Sequence, residues 1–258
     1  MNIPSAADWP RTRPVPITAP LHWLGRGFAD LLAAPIASLF YGVLLALMGF
    51  LLTRYYGGAV GLALTTGFLL IGPFLAIGLY DISRQLEHGA HARLRPSLTA
   101  WQANGPAIGF YALILMLSLA VWLRVSVVLV ALFIPAGVES LMELLSALLE
   151  RPDAWMFALA YSSVGAVLAA FSFASSAVAL PLLLDRTSTD AISAMIVSFS
   201  VIRANPGPML LWAMLIGALS VAGFVTWFVG LAFTVPLIGH ATWHAYRDCV
   251  EPERAGAA

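Results

Sequence analysis

Long uncharged stretches alternate with short polar segments along the chain, and this pattern predicts membrane-spanning helices. A helix needs about 20 residues to cross the ~30 Å hydrocarbon core of a bilayer. The last uncharged stretch, residues 205–246, is too long for one crossing and predicts two helices with a turn near 224–230. We therefore predict an all-α polytopic membrane bundle of six transmembrane helices, at about residues 36–53, 57–80, 106–124, 154–184, 208–225 and 227–246.

Three amphipathic segments precede predicted spans, and each of them stops at a proline. They run from Phe28 to Pro35, from Leu98 to Pro106 and from Phe199 to Pro208. The residue before a proline is pushed out of the α region, so each segment should end there. We predict three helical hairpins, each preceded by an amphipathic interfacial helix, as in an internal repeat. The alternative is that Pro and Asn simply mark the points where any protein with several spans enters the membrane.

Composition supports the membrane assignment independently of the pattern. Hydrophobic residues make up 60% of the chain and charged residues only 10%, and the mean hydropathy is +0.89. A soluble domain normally carries about 25% charged residues. The lipid bilayer is therefore the expected partner, no nucleic acid partner is expected, and the sequence leaves the oligomeric state open.

The arginines predict the orientation, because the chain contains no lysine. With both termini cytoplasmic, ten of the 13 arginines lie on the cytoplasmic side, as the positive-inside rule requires. We predict three regions: a disordered Pro-rich cytoplasmic tail over residues 1–19, a single transmembrane domain over 20–248, and a cytoplasmic tail over 249–258.

The fourth predicted span is rich in small residues at three- and four-residue spacing. Small residues allow helices to approach closely, and serines can hydrogen-bond across the contact. This span is therefore expected to lie at the centre of the bundle, and a substrate path lined by its serines is the alternative. The residues concerned are Ser162, Gly165, Ala166, Ala169, Ser172 and Ser176.

The densest polar segment lies at the inner end of the last span. His240 and His244 are four residues apart and share a helix face, so they are weak candidates to hold one metal ion with a third ligand from elsewhere. Alternatively, each histidine hydrogen-bonds to its own partner at the membrane interface. We also expect a functional interface here, formed by Trp243, Tyr246, Arg247 and Asp248.

Three polar residues elsewhere are further candidates for such an interface. Arg124 interrupts an apolar run and should reach the outer membrane surface, or turn inward toward Glu139 or Glu143. Asn104 and Asn205 occupy the turns that end the second and third amphipathic segments.

The chain shows no nucleotide-binding loop, zinc-protease helix, serine elbow or Rossmann glycine pattern. Cys249 is the only cysteine, which excludes a disulfide or a thiolate cluster within one chain. We therefore predict no enzymatic activity and no cofactor.

Several local patterns resemble a known family. The patterns are Trp23-Leu24 with Gly27 and Asp30-Leu31, Gly78-Leu79-Tyr80 with Ser83-Arg84, and Trp243-His244-Ala245-Tyr246-Arg247-Asp248. In these patterns the chain is similar to the bacterial integral membrane proteins grouped as domain of unknown function 2189, a resemblance that implies a bacterial inner-membrane location but no activity.

Three functions stay open on this basis. The first is a non-catalytic accessory or assembly component of a membrane complex, favoured because the spans carry no buried carboxylate and no catalytic set. The second is a small-solute transporter or channel with a cavity between three repeats. The third is a haem- or metal-binding redox protein that uses His240 and His244.

Overall fold

The computed structural model describes residues 10–56, 58–67, 72–133 and 140–252. Within these ranges the fold is all-α, as the sequence predicts, apart from an isolated bridge between Thr12 and Val250. A 3-10 helix, Ala100–Asn104, runs directly into α7. The α-helices are α1 (Ala19–Ala33), α2 (Pro35–Tyr55), α3 (Gly58–Gly67), α4 (Gly72–Leu75), α5 (Ile77–Glu87), α6 (Leu94–Leu98), α7 (Gly105–Phe133), α8 (Leu141–Leu149), α9 (Ala154–Ser176), α10 (Ala179–Asp185), α11 (Ala191–Ala204), α12 (Pro206–Val225) and α13 (Leu231–Cys249).

Four helical stretches of the described chain are long and apolar enough to cross a membrane. They are Pro35–Tyr55, Ala100–Phe133, Ala154–Asp185 and Pro206–Val225. A fifth crossing results if residues 59–67 and 72–87, bent by 45°, form one span. The chain is thus a helical integral membrane protein with four or five candidate spans. The more polar α13, predicted as the sixth, does not meet the same criterion.

Two predicted spans differ from the observed helices. The second was predicted as continuous from 57 to 80 but is divided into α3, α4 and α5, in a stretch that contains Gly67, Gly72 and Pro73. Glycine weakens helices and proline removes a backbone donor, so a bend here has a local cause. The third span extends to Phe133, beyond the predicted end at 124, because its apolar residues continue past Arg124.

The helices pack in a regular order. The pairs α2 with α3, α7 with α9, and α12 with α13 are in contact, and α13 also packs along α2. Helix α1 packs mainly on α13, α6 on α5, and α11 on α9 and α10. Glycines permit the closest of these approaches: a Cβ at Gly27 would lie 2.7 Å from the backbone nitrogen of Ala241 in α13.

The largest buried cluster lies where α1, α5, α10 and the second half of α13 meet. Trp23, Trp212 and Trp243 are among its fully buried side chains, and Trp23 meets Trp212 edge to face with ring centroids 5.8 Å apart. Burying such large aromatic side chains stabilises the contact between helices that are far apart in sequence. This cluster brings the N- and C-terminal helices together and positions the polar residues described below.

The N-terminal segment corrects one prediction. Residues 1–19 were expected to be a disordered tail, but the described part from Pro10 onward contacts the C-terminal segment. The Arg13 amide donates to the Cys249 carbonyl at 2.8 Å, and the Glu251 amide donates to the Arg11 carbonyl at 2.9 Å. Prolines keep this segment extended, and hydrogen bonds from the Arg13 and Val15 amides attach it to the rest of the protein.

Candidate functional site

His240 lies at the centre of a buried polar network at one end of the bundle. Its side chain has no exposed surface, and it projects from α13 between α2 and α5. The Nε2 atom is 2.8 Å from Ser38 Oγ of α2, and the Nδ1 atom is 2.8 Å from Ser83 Oγ of α5. Both ring nitrogens therefore have serine partners, which supports the hydrogen-bonding interpretation of this histidine.

Asp30 of α1 connects His240 to His244. Ser83 donates to Asp30 Oδ2 at 2.6 Å, and the same oxygen lies 2.9 Å from His244 Nε2. Burial by itself would raise the pKa of Asp30, but the hydrogen bonds from His244 and Ser83 and the nearby histidines outweigh it and lower the pKa. In the described part of the chain, no three His, Cys, Asp or Glu side chains are grouped to hold a metal ion.

The predicted interface residues of α13 have partners within the protein. Trp243 Nε1 and Arg247 Nε donate to Glu87 of α5, both at 2.9 Å. Tyr246 donates to Asp185 of α10 at 2.6 Å, and Arg247 also reaches this carboxylate at 3.4 Å. These residues therefore join α13 to α5 and α10.

Asp248 joins α13 to the N-terminal helix. The Trp23 indole donates to its Oδ2 at 2.8 Å, and the Arg26 guanidinium pairs with the same oxygen. The Arg26 and Asp248 side chains are about two-fifths exposed, so the ion pair itself adds little stability. The buried indole bond is the stronger constraint, since an indole N–H buried without an acceptor is costly.

Both asparagines at the predicted turns hold chain segments that precede a helix. Asn104 is buried and donates to the Thr189 carbonyl at 2.9 Å, just before α11. Asn205 accepts from the Val15 amide at 2.8 Å and donates to the Arg13 carbonyl at 3.0 Å, just before α1. A side-chain amide can donate and accept at once, so Asn205 can bond to the backbone of an extended segment as a neighbouring β-strand would.

Arg124 does not turn into the bundle. Its side chain is exposed on α7. Glu143, one proposed counter-charge, accepts from Ser140 within the capping box of α8, while Glu139 lies outside the described residues. The exposure of Arg124 agrees with the interpretation that it reaches the membrane surface.

The small residues of α9 are divided between two environments. Toward the C-terminal end, Ser172, Ser175 and Ser176 are buried, and Ser175 Oγ lies 2.9 Å from Tyr111 Oη of α7. This part of the fourth span is central, as predicted. The earlier part is more exposed, since most of its small side chains face outward, namely Ala158, Ser162, Ser163, Ala166, Ala169 and Ala170.

Sequence analysis did not single out the partners of His240. Asp30 and Ser83 were named only within the patterns that resemble the family, and Ser38 was not named at all. One local signal was present, since Ser38 follows Pro35 in the first turn of an otherwise apolar helix. No local signal places Ser83 beside a histidine 157 residues away.

Comparison with known proteins supports the membrane assignment. Residues 61–185 match the family described as predicted integral membrane protein (DUF2189), which confirms the resemblance over the middle of the chain. No curated protein and no solved structure matches the chain.

Proposed function

We propose that this protein is a non-catalytic accessory or assembly component of a membrane complex, and that α9 is its contact helix. The observation that carries the proposal is the outward face of α9, where every exposed side chain from Ser162 to Ala170 other than Val167 is Ser or Ala. Small side chains let a second helix approach closely, and van der Waals packing of this kind drives helix association in lipid. The partner would be another membrane protein.

The contrast with α7 supports this interpretation. The exposed positions of α7 carry large apolar side chains such as Leu113, Met116 and Leu117, which suit contact with lipid chains. The outward face of α9 between 162 and 170 includes two serines, whose hydroxyls can bond to a partner helix. A lipid-facing helix has no need for either feature.

Polar side chains within the spans do not favour transport. Trp122 of α7 donates to Thr66 of α3 at 3.1 Å, and Tyr161 of α9 lies 2.7 Å from Ser126 and 3.1 Å from Thr66. Because these groups satisfy one another, they do not line an open polar path for a solute. The accessory role therefore accounts for more of the geometry than a transporter does.

The proposal includes six spans in three repeated hairpins, with α13 as the last span. The packing order supports it, since α6 and α11 each pack on the helix that closes the preceding hairpin, and α1 packs on α13. The first interfacial helix thereby closes a ring with the last hairpin. With the arginine distribution, this arrangement supports a bacterial inner-membrane protein with both termini cytoplasmic.

The test is purification of the tagged protein from its native membrane in mild detergent, with quantitative mass spectrometry of co-purifying proteins. Three variants, Ser162→Leu, Ala166→Leu and Ala170→Leu, enlarge the outward face of α9. The matched control is Ala218→Leu, at an exposed alanine of α12. We expect a stoichiometric companion with the wild-type chain and the control, and its loss with the α9 variants. A companion that stays bound to all three α9 variants, or a chain that purifies alone, would contradict the proposal.

A further inference from the structure

Four short contacts form a continuous chain of hydrogen-bonding groups, which runs from Asp30 in α1 to Ala34 at the junction of α1 and α2. Asp30 Oδ2 lies 2.6 Å from Ser83 Oγ, which lies 2.8 Å from His240 Nδ1. On the other side of the ring, Nε2 lies 2.8 Å from Ser38 Oγ, which lies 2.7 Å from the Ala34 carbonyl oxygen. All four separations are in the hydrogen-bond range, so each contact has room for one proton.

The groups in this chain carry fewer protons than there are contacts. The Ala34 carbonyl and the Asp30 carboxylate supply none, while two serine hydroxyls and a neutral imidazole supply three. If Ser38 donates to Ala34, then Nε2 must donate to Ser38. If Ser83 donates to Asp30, then Nδ1 must donate to Ser83. An imidazole that donates from both nitrogens is an imidazolium, so the complete chain holds one additional proton.

We propose that Asp30, Ser83, His240 and Ser38 form a binding site for one proton. In the proton-free form, Nδ1–H donates to Ser83, Ser83 donates to the Asp30 carboxylate, and the Ser38 hydroxyl donates to Nε2. When a proton from water binds at Nε2, the Ser38 hydroxyl rotates to the Ala34 carbonyl and the fourth contact is completed. The charge of the site rises by one, and no bond between heavy atoms changes.

The surroundings leave Asp30 as the counter-charge for this proton. On α13 the titratable neighbour is His244, which lies against the same Asp30 oxygen. Helix α2 has no charged side chain before Arg54, and α12 has none. On α5, Asp81 pairs with Arg84, while Glu87 pairs with Arg247. On α1, Arg26 pairs with Asp248, and on α10, Asp185 pairs with Arg247.

Access to solvent runs through Asp30 and His244. Their side chains are each 15% exposed, whereas His240 and Ser38 have no exposed surface. The site is therefore connected to water at one end and buried at the other. The Ser83 hydroxyl at the exposed end faces Nδ1, which already carries a hydrogen, so protonation of Nε2 requires a transient local opening at the Ser38 end.

Proton binding acts on the joint between two helices. Ala34 lies between α1 and α2 as the cap residue of both, and its backbone is not helical, with φ −133° and ψ 57°. Its carbonyl already accepts from the Ser38 amide at 3.0 Å, and the bound proton adds the Ser38 hydroxyl. The proton thus tightens the connection between the interfacial helix and the first span.

The test is a pH titration of the full chain in lipid nanodiscs, with the ring nitrogens of histidine labelled with 15N. We expect the His240 signals to change from a neutral Nδ1–H form to a doubly protonated form while the protein stays folded. Replacing Ser83 by alanine breaks the link to Asp30, so the titration midpoint should fall by about one pH unit, a tenfold loss of proton affinity. Ser83→Thr keeps the hydroxyl and should restore the midpoint. His22→Gln, at an exposed histidine of α1, is the matched control and should change nothing at His240.

Three results would overturn the inference. The first is a neutral Nε2–H form at high pH. The second is an equal midpoint in the wild type and the Ser83→Ala variant. The third is unfolding before His240 takes up a proton.

If Ser83→Ala does not fold, Ser38→Ala replaces it. This variant removes the hydroxyl that accepts from the protonated Nε2, so the titration midpoint of His240 should again fall. The proton site is independent of the α9 contact, because none of these variants alters the outward face of α9.

Discussion

Replacing Gly42 by alanine should push α2 away from α13 and destabilise the protein. A Cβ at Gly42 would lie 2.1 Å from the carbonyl oxygen of Ala232 and 2.8 Å from its Cα. Both atoms belong to the backbone of the neighbouring helix, so no side-chain rotation can relieve the overlap. The two helices must separate along the contact that they share.

The size of the effect follows from two opposing contributions. An extra methyl group in a packed interior costs typically 1–3 kcal/mol, and a clash with backbone places Gly42→Ala at about 3 kcal/mol. Alanine is better than glycine in a helix by about 1 kcal/mol, which offsets part of the cost. The net loss is about 2 kcal/mol. For a chain of this size, 1 kcal/mol lowers Tm by about 2–4 °C, so we expect a decrease of about 4–8 °C.

The single cysteine provides the assay. Cys249 is fully buried, and burial raises the pKa of its thiol to about 12. A fluorogenic maleimide should therefore label it only when the protein unfolds, and the labelling midpoint on heating gives Tm. The matched control is Gly217→Ala on α12, where a Cβ would have no neighbour within 4 Å. We expect the control to leave Tm unchanged or slightly raised. Equal midpoints for the two variants would refute the close packing of α2 on α13.

Three further predictions test other parts of the structure. The pKa of Asp30 is lowered in the folded state, so its carboxylate stabilises the protein at pH values above the unfolded pKa of 3.8, and this stabilisation is lost as the pH falls through the folded pKa. Asp30→Asn should therefore lower Tm at neutral pH and make the decrease of Tm toward pH 3 less steep than in the wild type. Parallel curves of Tm against pH for the two proteins would contradict this prediction. Trp227 is 75% exposed and has φ 55°, a left-handed backbone angle that is unfavourable for a bulky residue but tolerated by asparagine. Trp227→Asn should therefore raise Tm by an amount that corresponds to about 1 kcal/mol. A decrease in Tm would count against backbone strain at this turn. Asn205→Ala should release residues 13–15 from the turn before α12 and speed hydrogen exchange at the Val15 amide at least tenfold, whereas Asn104→Ala should leave that amide unchanged.

The sequence by itself determined the membrane class and the bounds of three spans. Three predicted spans agree with the observed helices within a few residues, because hydropathy and proline act locally: α2 begins at Pro35, and α12 begins at Pro206. The turn predicted near 224–230 is confirmed between Val225 and Leu231. The length of a helix and its ends are set by neighbouring residues, which the sequence shows directly.

Only the tertiary structure decided which polar groups meet. His240 was a candidate metal ligand in the sequence, but its partners Ser38 and Ser83 come from helices 202 and 157 residues away. The small residues of α9 predicted a central helix, yet their environment changes along it from exposed to buried. A local pattern records how polar or how small a residue is, but not which surface will cover it. That depends on packing between distant helices, such as α1 on α13, and this packing placed His240 between two serines and left part of one face of α9 exposed.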